Sequence, residues 1–370
     1  MRGATGRRTV FLSAGESSGD QHGASLARAL LAGDPSLRLV GLGGEAMSGA
    51  GVELLEDLGG LAAMGFTEVL KHIPHHLRLR RSVRRFLAEE PVDLFIPIDY
   101  PGFNLPLSGF AHERSIPVLY YIAPQVWAWR QKRAHRLAEV CDLICVVLDF
   151  EEPFLAGYGA NVRFVGHPLL DGPPVAEAPP GEQDPPVLAL FPGSREQEIE
   201  RLLPVFVDAA RRTVQRFPGT EVIVARASHL GAKHFEPAGE FRLTSAEEAL
   251  SLATAALSKS GTITLQLALA GVPFVVGYRV GAVSAAIVRR VVVVQHACLV
   301  NLVAGAEIVP ELLQEAMTPQ ALSDAVAPLL DPRSEAAGRM RTGFADVRSR
   351  LGEPGVAARV AGHALNLMGA

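Results

Sequence analysis

The sequence predicts an α/β protein of two Rossmann-like domains, each a parallel sheet covered by helices. Three observations carry that expectation. The 370 residues exceed what one compact core ordinarily supports. Short apolar runs alternate with helix-like segments in both halves, the pattern of strands buried on both faces. Between Asp171 and Pro186 stand six prolines among Gly, Glu and Asp, a stretch that cannot join a sheet and reads as a linker. The expected division is a first domain at 1–170, the linker at 171–186, a second domain at 187–345 and a helical tail at 346–370.

In the first half the strand candidates are Val10–Ala14, Leu37–Gly41, Asp93–Ile98, Val118–Ile122, Leu143–Leu148 and Val162–Val165. After the linker the rhythm restarts. Strand Val187–Phe191 leads to a helix from about Glu198, then strand Glu221–Ala225, a helix near Ala246–Ala253, strand Ala256–Ser258, a helix from Thr262 and strand Phe274–Val276. Pro319–Leu330, Ser334–Leu351 and Pro354–Met368 have helical spacing and could pack on either half.

Composition narrows the class. The chain is 48% hydrophobic and 20% charged, which a large core explains. Lys and Arg total 35 against 39 Asp and Glu, so the net charge of -4 gives no general attraction to nucleic acid. Cys141, Cys145 and Cys298 cannot form a disulfide framework and lack the second pair of a zinc site, so they read as buried thiols of a cytoplasmic protein. The apolar run Val10–Ala14 is too short for a secretory signal, and the stretch Val280–Gly305 is cut by Arg289 and Arg290, so no membrane span is expected.

Three turns carry candidate chemistry. The first strand ends in Gly15-Glu16-Ser17-Ser18-Gly19-Asp20, where glycines let backbone approach a sugar or phosphate, without the G-x-G-x-x-G order of a dinucleotide cofactor site. Pro192-Gly193-Ser194-Arg195 links a strand to a helix whose first N–H groups, with an arginine fork, suit a diphosphate. Ser260-Gly261-Thr262 repeats the arrangement, and one such turn alone would be an ordinary helix cap. Two together point to a nucleotide sugar. Asp99, closing a strand before Tyr100-Pro101-Gly102-Phe103-Asn104, is a candidate general base, with a helix cap as the plain alternative and His22 and His167 as rivals.

Between Val69 and Ala88 lie Lys71, Arg78, Arg80, Arg81, Arg84 and Arg85 with no acidic residue. Met64, Phe66, Val69, Leu70, Ile73 and Leu77 recur beside them at helical intervals, a combination that suits an anionic bilayer surface. A helix docked on a sheet with its arginines in water fits the same pattern. Nucleic acid is disfavoured because stacking aromatics are nearly absent.

These motifs, with Pro124-Gln125-Val126-Trp127-Ala128-Trp129-Arg130, Gly166-His167-Pro168-Leu169, Val276-Gly277-Tyr278-Arg279 and Asn301-Leu302-Val303-Ala304-Gly305, stand in the order seen in lipid-A-disaccharide synthases, which the sequence resembles from about residue 9 to 330. The resemblance implies a GT-B fold, its two sheets facing across a cleft, and neither metal nor cofactor. It implies transfer from UDP-2,3-diacylglucosamine to the 6-hydroxyl of 2,3-diacylglucosamine 1-phosphate, with inversion, at the inner face of the inner membrane. Asp99 then resembles the base, Arg195, Ser194 and Ser260-Gly261-Thr262 the diphosphate ligands, and Gln266, Tyr278, Arg279 and Asn301 further donor contacts. Residues 64–77, with Arg78 and Arg81, resemble a membrane-facing patch.

Two positions depart from the family pattern. Gln266 stands where a glutamate usually meets the ribose, and Val300 where a proline usually precedes the asparagine. Another GT-B enzyme such as a UDP-N-acetylglucosamine 2-epimerase, and a non-catalytic nucleotide-sugar sensor on membranes, stay open as alternatives, as does a homodimer.

Overall fold

A computed structural model describes residues 7–57, 73–129, 131–172, 185–281 and 294–369. Most of the proline-rich stretch, and Met64, Phe66, Val69 and Leu70 of the expected membrane patch, lie outside the described residues. The chain divides into two units, one holding residues up to Asp171 and again from Leu351, the other Gly172–Arg350.

The first unit is a seven-stranded parallel sheet: β1 (Thr9–Ala14), β2 (Arg38–Gly43), β3 (Glu53–Asp57), β4 (Leu94–Ile98), β5 (Leu119–Tyr121), β6 (Leu143–Val146) and β7 (Val162–Phe164), ordered β3-β2-β1-β4-β5-β6-β7. All of β1 and β4 is buried, as strands covered on both faces must be. Pro97 in β4 has no N–H. Phe95 donates to the Pro117 carbonyl at 2.9 Å and Asp99 to that of Tyr121 at 3.0 Å, and the rung between them is missing. The β4–β5 ladder is correspondingly short, ending at Ile98 opposite Tyr121.

Four helices matter for the site: α1 (Ser17–Gly33), α2 (Glu45–Gly49), α3 (Ile73–Glu89) and α4 (Pro101–His112). In α3, Leu79, Val83 and Leu87 recur every four residues and all are buried in the core. The chain's last helix, Val356–Leu367, packs on α1. Its first turn is capped from afar, because the Asp171 carboxylate accepts the N–H groups of Gly355, Val356 and Ala357 at 2.6, 3.0 and 2.9 Å. Of the two halves the tail could join, it joins the first.

The second unit is a six-stranded parallel sheet: β8 (Val187–Phe191), β9 (Glu221–Ala225), β10 (Arg242–Thr244), β11 (Ala255–Ser258), β12 (Phe274–Tyr278) and β13 (Glu311–Leu313), ordered β10-β9-β8-β11-β12-β13. The helix after β8, Glu196–Arg216, buries Ile199, Leu202, Leu203, Phe206 and Ala210 along one stripe. A shorter helix, Thr262–Leu269, follows β11. In each sheet the strand order reverses once, between β1 and β4 and between β8 and β11. Ligands of open parallel sheets bind beyond the carboxyl ends of strands at such reversals.

Candidate active site

Gly15 follows β1 and Asp99 follows β4, and the two strands are neighbours with Ala14 opposite Ile98, so both turns open at the reversal point. They touch. A Cβ on Gly15 would lie 2.1 Å from the Tyr100 ring, so only glycine lets the ring close over the first turn.

Asp99 and Tyr100 both adopt the left-handed conformation, with φ of 46° and 49°. Such backbone costs on the order of 1–3 kcal/mol per non-glycine residue and persists only when its surroundings hold it. Two buried side chains do so here. The Asp99 carbonyl accepts the Tyr120 hydroxyl at 2.8 Å and an Asn104 amide N–H at 2.9 Å. Asn104 also donates to the Ser13 and Ile98 carbonyls at 3.1 and 3.3 Å, and its oxygen accepts the Ser13 hydroxyl at 2.7 Å. A single amide thus ties β1, β4 and the turn together.

Solvent reaches the Asp99 carboxyl, yet enough protein surrounds it that lost solvation lifts its pKa to about 6, the Tyr100 N–H opposing and the Glu16 carboxylate adding to the rise. A carboxyl poised there is ionised at neutral pH and more basic than a free aspartate. The rival His167 is pushed down to about 4 by burial and by neighbouring His22, itself lowered by burial, which makes His167 the weaker base. Glu151 heads the helix Glu151–Ala156 and is buried, and burial raises its pKa to about 7 despite hydrogen bonds from Trp127, Leu148 and Val147. Trp127 of the tryptophan motif is a brace, its indole N–H donating to Glu151 at 2.9 Å. Trp129 is exposed, with Arg133 over its ring.

The first turn is less uniform than its sequence suggests. Glu16 and Ser18 are exposed, Gly19 is buried beneath them, and the Ser17 side chain lies outside the described set. Asp20, expected near the sugar, instead accepts the N–H groups of Gly44, Ala46 and Met47 at 2.7, 3.0 and 3.1 Å and caps α2.

In the second unit Gly193 has φ 122° and Gly261 φ 147°, conformations that favour glycine and turn each chain sharply into its helix. Glu198 accepts the Ser194 N–H at 3.3 Å and pairs with Arg195 at 3.5 Å and Lys259 at 3.2 Å. Two cations from the turns after β8 and β11 therefore converge, and Lys259 was not among the residues expected from sequence. Ser260 donates its hydroxyl to the Ala297 carbonyl at 2.5 Å. Thr262 is exposed at the helix start, and Gln266, four residues on, shares its face. Tyr278 is half-buried near Glu198, Arg195 and Arg201, burial raising its hydroxyl pKa. Arg279 is tied to the Gln314 and Met317 carbonyls at 3.1 and 2.8 Å.

Asn301 is fully buried, donating to the Val309 carbonyl and Glu311 at 2.8 and 2.7 Å and accepting from the N–H groups of Ile308 and Val309 at 2.8 and 2.9 Å, so it organises the approach to β13. Of the patch residues the structure describes, Leu77 is 45% exposed and Arg78 and Arg81 are exposed, while the Ile73 side chain lies outside the described set. Among the described residues, Glu196, Glu200 and His234 place three ligand-type atoms within 4.8 Å of one another, on the surface.

The model of the lipid-A-disaccharide synthetase family matches residues 10–349. A lipid-A-disaccharide synthase of Trichlorobacter lovleyi is 38% identical, the alignment covering 99% of both chains. One of Geobacter sulfurreducens is 39% identical over 97% of both. Among solved structures, the glycotransferase of kitacinnamycin matches 98% of this chain and 100% of its own at a TM-score of 0.64 and 17% identity, a likeness of fold.

Proposed function

The chain belongs to the lipid-A-disaccharide synthase family, and on that premise we propose that it moves 2,3-diacylglucosamine from UDP to the 6-hydroxyl of 2,3-diacylglucosamine 1-phosphate. It is thus a glycosyltransferase of lipid A biosynthesis. The observation that carries the chemistry is Asp99, held in a strained turn at the reversal of the first sheet. A sugar hydroxyl is a poor nucleophile, so the carboxylate takes its proton as the oxygen attacks the anomeric carbon opposite the leaving group, and the α linkage becomes β. UDP departs as an anion. Arg195, Lys259 and the helix N–H groups after Ser194 and Gly261 supply fixed positive charge for it. Gln266 and Tyr278 extend the same face toward the nucleoside.

The test is to incubate the protein with both acylated sugars, assay UDP and weigh the product. Absence of a disaccharide of the summed mass, less UDP, sinks the reading. Within it, Arg195→Ala is expected to raise donor KM and lower kcat, by about 10- to 100-fold in kcat/KM, because a charge-assisted phosphate contact is worth roughly 1.5–3 kcal/mol. Unchanged donor kinetics would remove Arg195 from the site.

No helix among the described residues is long and apolar enough to cross a membrane. Both substrates are lipids, and the segment from Met64 to Arg81 is the proposed contact with the anionic surface that carries them. Replacing Phe66, Leu70 and Ile73 by Ser should release the protein from vesicles and raise KM for vesicle-borne substrate, with water-soluble short-chain analogues little affected. Unchanged sedimentation with a collapse in thermal stability would show that these residues belong to the core.

A further inference from the structure

Arg80 is set apart by a buried guanidinium nitrogen that finds no acceptor among the described residues. Arg8, Arg38, Arg136, Arg211 and Arg216 each hold a carboxylate within ion-pair distance. Arg80 has no such partner among the described residues. It donates one N–H to the Gly102 carbonyl at 3.2 Å, its guanidinium lies 5.9 Å from the Phe103 ring centre, and its Nε is buried without an acceptor. Beside it the Tyr100 hydroxyl stands 3.4 Å from both ring nitrogens of His76, and the Tyr100 and Phe103 rings stack at 5.9 Å. All of this packs α3 onto the turn that carries Asp99.

We infer that Arg80, flanked by His76 and the Tyr100 hydroxyl, binds the phosphate of the acceptor, a sugar phosphate monoester. The inference rests on the proposed acceptor and names the residues that recognise it. A guanidinium without a carboxylate partner is an open cation, and a phosphate on its solvent-facing Nη groups, one of which already turns to the Gly102 carbonyl, pairs that charge. Charge then orients the sugar. The carboxylates of Glu16 and Asp99 repel the phosphate, so the anionic end of the acceptor settles on α3 and the neutral 6-hydroxyl end turns to the base. The same arrangement discriminates against acceptors without a phosphate, because they leave the cation unpaired.

Steady-state rates in phospholipid-free detergent micelles test this, with 2,3-diacylglucosamine 1-phosphate and its dephosphorylated analogue as acceptors. The reading is the ratio of kcat/KM between the two. Wild type should favour the phosphorylated acceptor, and Arg80→Gln should cut that preference by about ten-fold or more, through acceptor KM and not donor KM. Arg80→Lys, which keeps the charge without the fork, should restore part of it. Equal losses with both acceptors would make Arg80 a brace of the Gly102 turn and overturn the inference. So would a rise confined to donor KM, which would place the diphosphate there. A preference that Arg80→Gln alters only when anionic vesicles are added would assign the cation to lipid headgroups instead. A wild type that releases no UDP with either acceptor sinks the proposed reaction itself, a result distinct from an active enzyme indifferent to the acceptor's phosphate.

Discussion

Asp99→Asn is expected to lower kcat by about 10²–10⁴-fold while UDP binding persists, because the amide fills the same space and cannot take the hydroxyl proton. The wild-type rate should climb as pH rises through about 6, where the carboxyl ionises, and the variant's residual rate should lack that limb. Stability should move the other way. The folded protein holds the Asp99 proton more tightly than the unfolded chain does, so between the ordinary aspartate value of 3.8 and about 6 the native state binds more protons, and this group's contribution to stability falls as pH rises through that window. Asparagine removes the penalty, so the variant's melting temperature at neutral pH should equal or exceed that of wild type. Retention of more than about a tenth of the rate would sink the base assignment, and His22 would be the next candidate.

The fold was legible where strands are buried on both faces, since Val10–Ala14 and Val187–Phe191 must be apolar whatever the chain does elsewhere. Three strands went unread. β3, β10 and β13 lie at sheet edges, where Glu53, Glu56, Arg242 and Glu311 face a less apolar setting and dilute the pattern. The turns that hold the candidate site were legible as motifs, because glycine and small hydroxyl residues between a strand and a helix recur twice in the second unit, where one such turn alone would read as a helix cap. Which polar side chain faces a ligand was not. Asp20 and Asn301 sit in motifs and serve backbone N–H groups, and Lys259 enters through its pairing with Glu198 at the start of the helix after β8. Such roles depend on residues brought together from distant parts of the chain. The buried carboxyl of Glu151 beneath Trp127 was equally silent, a lone acidic residue at a helix start being ordinary in sequence.

In the sequence Asn104 only closes the motif that begins at Tyr100, and its replacement should separate support from chemistry. Asn104→Ala strips the N–H donor from the Ser13, Ile98 and Asp99 carbonyls and the acceptor from the Ser13 hydroxyl, all but the Asp99 contact inside the core. Leaving buried polar groups unpaired costs about 1–3 kcal/mol each at most, and water admitted to the space would reduce the total. Melting temperature should fall. The larger effect should be on rate, because a left-handed Asp99 without its brace relaxes toward ordinary backbone, and a displacement of about 1 Å of a catalytic group can cost 10²-fold. Tyr120→Phe removes one donor from the same carbonyl while keeping the ring, and should give a smaller loss of kcat with little change in donor KM. The pairing with Asp99→Asn decides the mechanism. If Asn104 acts through the base, adding Asn104→Ala to Asp99→Asn should cost stability but almost no further rate, since the group it positions is already disabled. Full multiplication of the two losses, or an Asn104→Ala enzyme that is less stable yet keeps its kcat, would show that the amide supports the core and leaves the carboxylate's aim to other contacts.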